Sequence, residues 1–159
     1  MNNIIVPDAN VFLEMIYRRS LQVTARHLIS HAISGEIQLL VPCLFLDEII
    51  EVFCGNFDDL QKVQQRLLYL EQLVNEKALL IVVPSLAIRM KAIEIARTGN
   101  PKSGYPELSD SLYHALAILN DAIFVTNDSK HVAKVNRFGH VEKLTDYPKV
   151  FERISDAKP

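Results

Sequence analysis

The sequence has no tryptophan and only two cysteines, Cys43 and Cys54, among its 159 residues. The cysteines form no CxxC pair and have no histidine close to them in the sequence, so a zinc site is not expected. Both lie in apolar segments. That context predicts reduced, buried thiols.

The sequence also lacks long hydrophobic runs and a strong excess of charge. Its longest uncharged stretches, IQLLVPCLFL and ALLIVVPSLAI, are too short to span a bilayer. No basic segment followed by an apolar run indicates a signal peptide. The formal net charge of -2 argues against tight non-specific binding to nucleic acid, although it is compatible with a local basic patch. We therefore expect a cytoplasmic protein without a membrane partner.

Short apolar runs alternate with longer helical patterns along the chain. The length suits one domain with a single core, so residues 1–159 are expected to form one domain. The predicted strands are Ile4–Val6, Gln38–Val41, Leu79–Val83, Ala122–Thr126 and His140–Leu144. Helical patterns cover Ser20–Ser34, Leu44–Phe53, Asp58–Glu76, Ser85–Thr98, Ser109–Leu119 and Ser129–Val135. This order predicts a three-layer α/β/α sandwich with a mostly parallel central sheet of four to five strands.

One segment, TGNPKSGYPE at residues 98–107, has the composition of an irregular loop. Gly99 and Gly104 have the spacing found in phosphate-binding loops. The residues that follow are Tyr105 and Pro106 rather than Lys and Ser or Thr, so a phosphate-binding loop is not predicted.

Polar residues gather near the ends of the predicted strands. They are Asp8 and Asn10 after the first strand, Asp47 and Glu48 after the second, Asp110 before the fourth, and Thr126, Asn127 and Asp128 at its end. Ligands of open α/β sheets bind at the carboxyl ends of the strands, where these side chains can converge. Several carboxylates cannot share a pocket fully ionised without a counter-charge. Because Mg²⁺ and Mn²⁺ prefer oxygen ligands, we expect one or two of these ions there.

Four segments resemble the PIN-domain family of metal-dependent ribonucleases, and they occur in the family's order. They are IIVPDANVFLEM, VPCLFLDEIIEVF, LSDSLYHALAILN and AIFVTNDSKH. The resemblance implies a single PIN-like domain whose catalytic metal ligands are Asp8, Glu48, Asp110 and Asp128. It also implies that Asn10, Thr126 and Asn127 orient those carboxylates or a water. Glu48 rather than Asp47 matches the family position, and adjacent helical residues point about 100° apart.

The resemblance further implies the reaction and the partners. The bound ions would activate a water for in-line attack on the phosphorus of an RNA phosphodiester, leaving a 5′ phosphate. Many members of the family are toxins of bacterial toxin–antitoxin pairs and homodimerise, so an antitoxin and a second copy are expected partners. The candidate contacts with RNA are Lys130, His114 and Arg18. The apolar stripe of helix 58–76 is a candidate dimer surface or simply part of the core.

Other interpretations of the same residues remain open. Asp8, Asn10 and Asp128 are also good helix caps, and Asp110 suits the first turn of a helix. His114 also fits a buried structural histidine. A haloacid-dehalogenase-like phosphatase likewise places an aspartate after a parallel strand, although the third position of its Asp-x-Asp pattern is Asn10 here. A non-catalytic PIN-like module that binds RNA or protein is the remaining alternative.

Overall fold

Five parallel strands form the centre of the structure, a computed structural model that describes residues 2–157. The strands are β1 (Ile4–Pro7), β2 (Gln38–Pro42), β3 (Leu79–Val82), β4 (Ile123–Thr126) and β5 (Val141–Lys143). The helices are α1 (Ala9–Ile16), α2 (Gln22–Ile33), α3 (Leu44–Gly55), α4 (Leu60–Asn75), α5 (Leu86–Ala96), α6 (Leu108–Leu119), α7 (Ser129–Val135) and α8 (Tyr147–Asp156). The predicted α/β/α architecture is confirmed, and every described strand pair is parallel.

The strand order is β3–β2–β1–β4–β5, so the chain builds outward from β1 to β3 and then returns to the other side of β1. Ile5 of β1 is in register with Leu39 of β2 and with Ile123 of β4. The order reverses between β1 and β4. A crevice opens at such a switch point, outside the carboxyl ends of the two strands.

The core lies on both faces of the sheet because the central strands consist of buried aliphatic residues. Ile5 and Val6 are fully buried, and the rings of Phe12 and Phe45 meet edge to face beneath α1 and α3, with centroids 5.1 Å apart. Such buried apolar area provides most of the favourable free energy of folding. No helix in the described part of the chain is long and apolar enough to cross a membrane.

Two helices differ from the sequence prediction. The connection from β1 to β2 contains α1 and α2 rather than one helix. Arg18, whose φ is 50°, lies in the turn that separates them. The C-terminal α8 was not predicted. Its buried residues Tyr147, Val150 and Ile154 form one helical face.

The prediction of buried cysteines is wrong, since Cys43 and Cys54 are both exposed. The buried stripe of α3 consists of Phe45, Ile49 and Phe53, spaced four residues apart. Cys54 follows that stripe by one residue and therefore falls off it. Apolar sequence context alone did not show which face of the helix is covered.

The loop at residues 98–107 closes on itself as a tight turn. Asn100 and Gly104 form a β-bridge, and the Asn100 Oδ1 accepts hydrogen bonds from the backbone N–H groups of Lys102 and Ser103, both at 2.9 Å. A Cβ on Gly99 would lie 2.1 Å from the Gly104 carbonyl oxygen. Glycine is thus required here for close backbone approach.

The substitution Gly99→Ala should lower the free energy of unfolding by about 1–3 kcal/mol, because the added methyl overlaps the backbone. Gly55→Ala is the matched control, since a Cβ there meets nothing within 4 Å. Urea denaturation of both variants measures the difference. Equal stability would contradict the backbone contact described here.

Candidate active site

Four carboxylates from four separate elements line one cleft at the switch point of the sheet. Asp8 follows β1, Glu48 lies on α3, Asp110 on α6 and Asp128 just before α7. The cleft has a volume of about 300 Å³. Its remaining lining residues are Ala9, Asn10, Leu13, Glu51, Val52 and Glu107. The convergence expected from the strand ends is therefore present in the structure.

Asp8 is buried and held through both carboxylate oxygens. Its Oδ1 accepts a hydrogen bond from the backbone N–H of Asn10 at 3.1 Å, which caps α1. Its Oδ2 accepts from the Thr126 hydroxyl at 2.7 Å. Burial raises the pKa of Asp8, and the two hydrogen bonds oppose that rise. Capping and participation in the cleft are thus compatible roles of one side chain.

The Thr126 hydroxyl joins two of the four acidic residues. It donates to Asp8 and accepts from the backbone N–H of Asp128 at 3.0 Å. The Asp128 Oδ1 accepts from the N–H groups of Lys130 at 2.8 Å and His131 at 3.0 Å, so Asp128 caps α7. One Asp128 oxygen is committed to the cap, and the described hydrogen bonds leave the other without a partner.

Glu48 is oriented by a residue that the sequence did not single out. The Tyr113 hydroxyl donates to the Glu48 Oε2 at 2.5 Å. Tyr113 is fully buried and lies three residues after Asp110 on α6, so both side chains project from the same helix face. That spacing was the available signal. The neighbouring Asp47 is exposed and outside the cleft.

The acidic residues perturb one another's ionisation. Burial raises the pKa of Glu48 to about 7, and the negative charges of Asp8, Glu51 and Glu107 act in the same direction, while the bond from Tyr113 opposes them. Burial also raises the pKa of Asp110 to about 7, with the charges of Asp8 and Asp128 adding to the effect. Among the described residues, the Asp110 carboxylate has no hydrogen-bond partner. This concentration of charge is the main electrostatic feature of the cleft.

The other predicted residues are not all brought together. Asn10 lines the cleft, whereas the Asn127 side chain points to Glu14, its Nδ2 donating to the Glu14 Oε1 at 3.0 Å. Lys130 is exposed beside Asp128, and Arg18 is exposed beyond the far end of α1.

The interpretation of His114 as an RNA contact does not fit the structure. Its side chain is completely buried, and its Nε2 lies 2.7 Å from the Gly139 carbonyl oxygen. The ring packs among Phe124, His131 and Phe138. His114 is therefore the buried structural histidine that the sequence left as the alternative.

The chemistry of the cleft fits a hard divalent cation. Its ionisable lining residues are carboxylates alone, and no lysine or arginine of residues 2–157 lines it. Within the same residues, no three His, Cys, Asp or Glu side chains are grouped so that they could hold one ion together. Carboxylates are the ligands that a hard cation such as Mg²⁺ prefers.

A larger groove of about 660 Å³ lies elsewhere, along β5, and carries both signs of charge, including Arg137, Glu142 and Arg153. We assign the site to the acidic cleft because like charges converge there and burial raises the pKa values of Asp8, Glu48 and Asp110. Such perturbation is typical of functional sites.

A protein-family model described as PIN domain matches residues 5–137. The match includes all four carboxylates and the elements from β1 to α7, and it ends before β5 and α8. A search of curated proteins finds no match to the chain.

The substitution Asp110→Asn should stabilise the metal-free protein at high pH. The raised pKa values of Glu48 and Asp110 mean that the folded state binds more protons than the unfolded state between about pH 4 and pH 7. The contribution of these protonated carboxyls to the stability of the folded state is therefore fully present below about pH 4, and it is lost as the pH rises through about 7. Removing one carboxylate avoids that loss.

We expect the Tm of Asp110→Asn to equal that of the unmodified protein near about pH 4 and to exceed it by a few degrees near about pH 8. Thermal unfolding in the presence of a chelator measures this difference. Asp47→Asn is the control, because it removes a neighbouring charge outside the cleft. A Tm advantage that is the same at every pH would count against the repulsion among the carboxylates of the cleft.

Proposed function

Since this chain belongs to the PIN-domain family, we propose that it is a Mg²⁺- or Mn²⁺-dependent endoribonuclease. PIN domains have a nuclease-type fold, are generally nucleases and typically use divalent metals. The observation that carries the proposal is the convergence of Asp8, Glu48, Asp110 and Asp128 in one cleft at the switch point of the sheet. The ribonuclease assignment and the choice of metal are our inference from that arrangement.

The residues of the cleft have distinct parts in this proposal. The Thr126 hydroxyl holds the Asp8 carboxylate and the backbone N–H of Asp128. The Asp128 carboxylate itself is held by the backbone N–H groups of Lys130 and His131. Glu48 is set by Tyr113, while Asp110 has no described hydrogen bond that fixes its carboxylate. When bound, a divalent cation supplies a water of lowered pKa and neutralises charge on a phosphodiester. One or two such ions would be held by these four carboxylates.

The substrate in this proposal is RNA. The acidic cleft repels RNA phosphates until the negative charge of its carboxylates is neutralised. Lys130 supports the assignment, because it is exposed and its backbone N–H bonds the Asp128 carboxylate. Its backbone thus lies beside a carboxylate of the cleft, and we propose that its ammonium group binds a phosphate of the RNA. Arg18, one helix length from Asp8, is proposed as a more distant contact.

We also propose that the protein is the toxin of a toxin–antitoxin pair, acting in the cytoplasm as a homodimer. Exposed apolar side chains where α3 meets α4 support binding to a protein partner. Phe57 is 93% exposed and Leu60 is 83% exposed, and both line an apolar groove of about 410 Å³. Large exposed apolar groups that share one groove are typical of interaction surfaces.

The haloacid-dehalogenase-like phosphatase is less well supported. That chemistry needs a lysine at the phosphoryl site, and none of the described residues lining the cleft is a lysine. Incubation with beryllofluoride distinguishes the two activities, since stable labelling at Asp8 would favour the phosphatase.

The substitution Asp8→Asn should abolish RNA cleavage in Mn²⁺, because it removes the charge of the most deeply buried ligand while keeping its shape. Gel assays of a single-stranded RNA measure cleavage, and circular dichroism checks the fold. Asp47→Asn should cleave at the unmodified rate. Undiminished cleavage by Asp8→Asn would refute the proposed function, and an absence of Mn²⁺ binding even with RNA present would favour a non-catalytic module.

A further inference from the structure

Glu14 is a buried carboxylate outside the cleft. It lies in α1 and is only 7% exposed, yet none of the described residues forms an ion pair with it. Its Oε2 accepts from the backbone N–H of Leu21 at 2.8 Å, and its Oε1 accepts from the Asn127 Nδ2 at 3.0 Å. Burying a carboxylate is costly unless hydrogen bonds compensate for lost hydration, so this position calls for a reason.

The bond to Asn127 is the last of three hydrogen bonds that join the segment 8–14 to residues 125–127 at the end of β4. The Asp8 backbone N–H donates to the Val125 carbonyl at 2.9 Å. The Thr126 hydroxyl donates to the Asp8 carboxylate, and the Asn127 amide donates to Glu14. Residues 125, 126 and 127 are thus each held by the same segment, and the next residue is Asp128.

The orientation of the Asn127 side chain depends on Glu14 alone among the described residues. The Asn127 Oδ1 is buried and has no hydrogen-bond partner, so only the Nδ2 bond to Glu14 determines how the amide lies. Loss of that bond leaves the whole amide unpartnered in a partly buried position. The backbone that leads into Asp128 then loses its third anchor.

We propose that Glu14 is a positioning residue that fixes Asn127 and thereby aims Asp128 into the acidic cleft. This inference rests on the proposed function, because it takes Asp128 to be a metal ligand. Outer hydrogen bonds of this kind orient ligands and commonly change metal affinity by about 10–100-fold. Glu14 also holds the turn before α2 through Leu21, so a purely structural role must be separated from positioning.

The test is the substitution Glu14→Ala, with two measurements on the full chain. Isothermal titration with Mn²⁺ should show affinity about 10–100-fold weaker than in the unmodified protein. Hydrogen exchange of the metal-free protein should show faster exchange of the Asp128 amide, which bonds the Thr126 hydroxyl. Glu14→Gln should restore most of the affinity, because its amide can donate to the Asn127 Oδ1 once the Asn127 amide has turned.

Asp58→Ala is the matched control for stability. Asp58 accepts hydrogen bonds from the Tyr17 hydroxyl and from the Arg66 guanidinium, so it ties the C-terminal end of α1 to α4 without lining the cleft. This variant should unfold at a lower temperature while its Mn²⁺ affinity and its Asp128 exchange rate stay unchanged. The comparison separates loosening of α1 in general from loss of the Asn127 anchor.

The possible outcomes are distinct. Weaker Mn²⁺ binding and faster Asp128 exchange in Glu14→Ala, with neither change in Asp58→Ala, support the proposal. A lower Tm with unchanged affinity and unchanged exchange overturns it. If the unmodified protein binds no Mn²⁺, the proposed function fails, and the exchange measurement on the metal-free chain still decides whether Glu14 positions Asp128.

Discussion

Mutual repulsion among four carboxylates at one edge of a parallel sheet is the constraint on which the rest of the structure depends. Asp8, Glu48, Asp110 and Asp128 come from four elements and face one cleft without a basic residue among its described lining. Burying a carboxylate costs free energy, so these side chains would turn toward solvent if the fold did not hold them in the cleft. The buried strands and the helices packed on them hold the carboxylates together. Burial, to which the neighbouring negative charges add, raises the pKa values of Glu48 and Asp110 to about 7.

The same acidic side chains cap helices and line the cleft. Asp8 caps α1 with one oxygen and meets Thr126 with the other, while Asp128 caps α7 with only one of its oxygens. A helix N-terminus also stabilises a nearby negative charge. The chain therefore places acidic residues where local structure already favours them. Tyr113 and Glu14 extend this arrangement outward, since each fixes a side chain that belongs to the site or leads into it.

The sequence was sufficient for the strands, which are local patterns, and the resemblance to the PIN-domain family selected the four acidic positions among several candidates. Buried parallel strands are continuous apolar runs, and the acidic residues stand at strand ends or in the first two turns of a helix. Features that depend on tertiary packing were missed. The exposure of Cys54 depends on which face of α3 is covered, and the pairing of Tyr113 with Glu48 joins residues that are far apart in the sequence. The position of α8 also depends on tertiary contacts, since the Tyr147 hydroxyl lies 2.7 Å from the His31 Nδ1 on α2.

The most direct test of the central claim is the number of protons released when Mn²⁺ binds, measured by titration calorimetry in buffers of different ionisation enthalpy. If Glu48 and Asp110 share protons in the metal-free cleft, binding near about pH 6.5 should release about one to two protons, and release should fall toward zero near about pH 8.5. Binding without proton release at either pH, or no binding at all, would contradict an acidic cleft whose charges are held together for a cation.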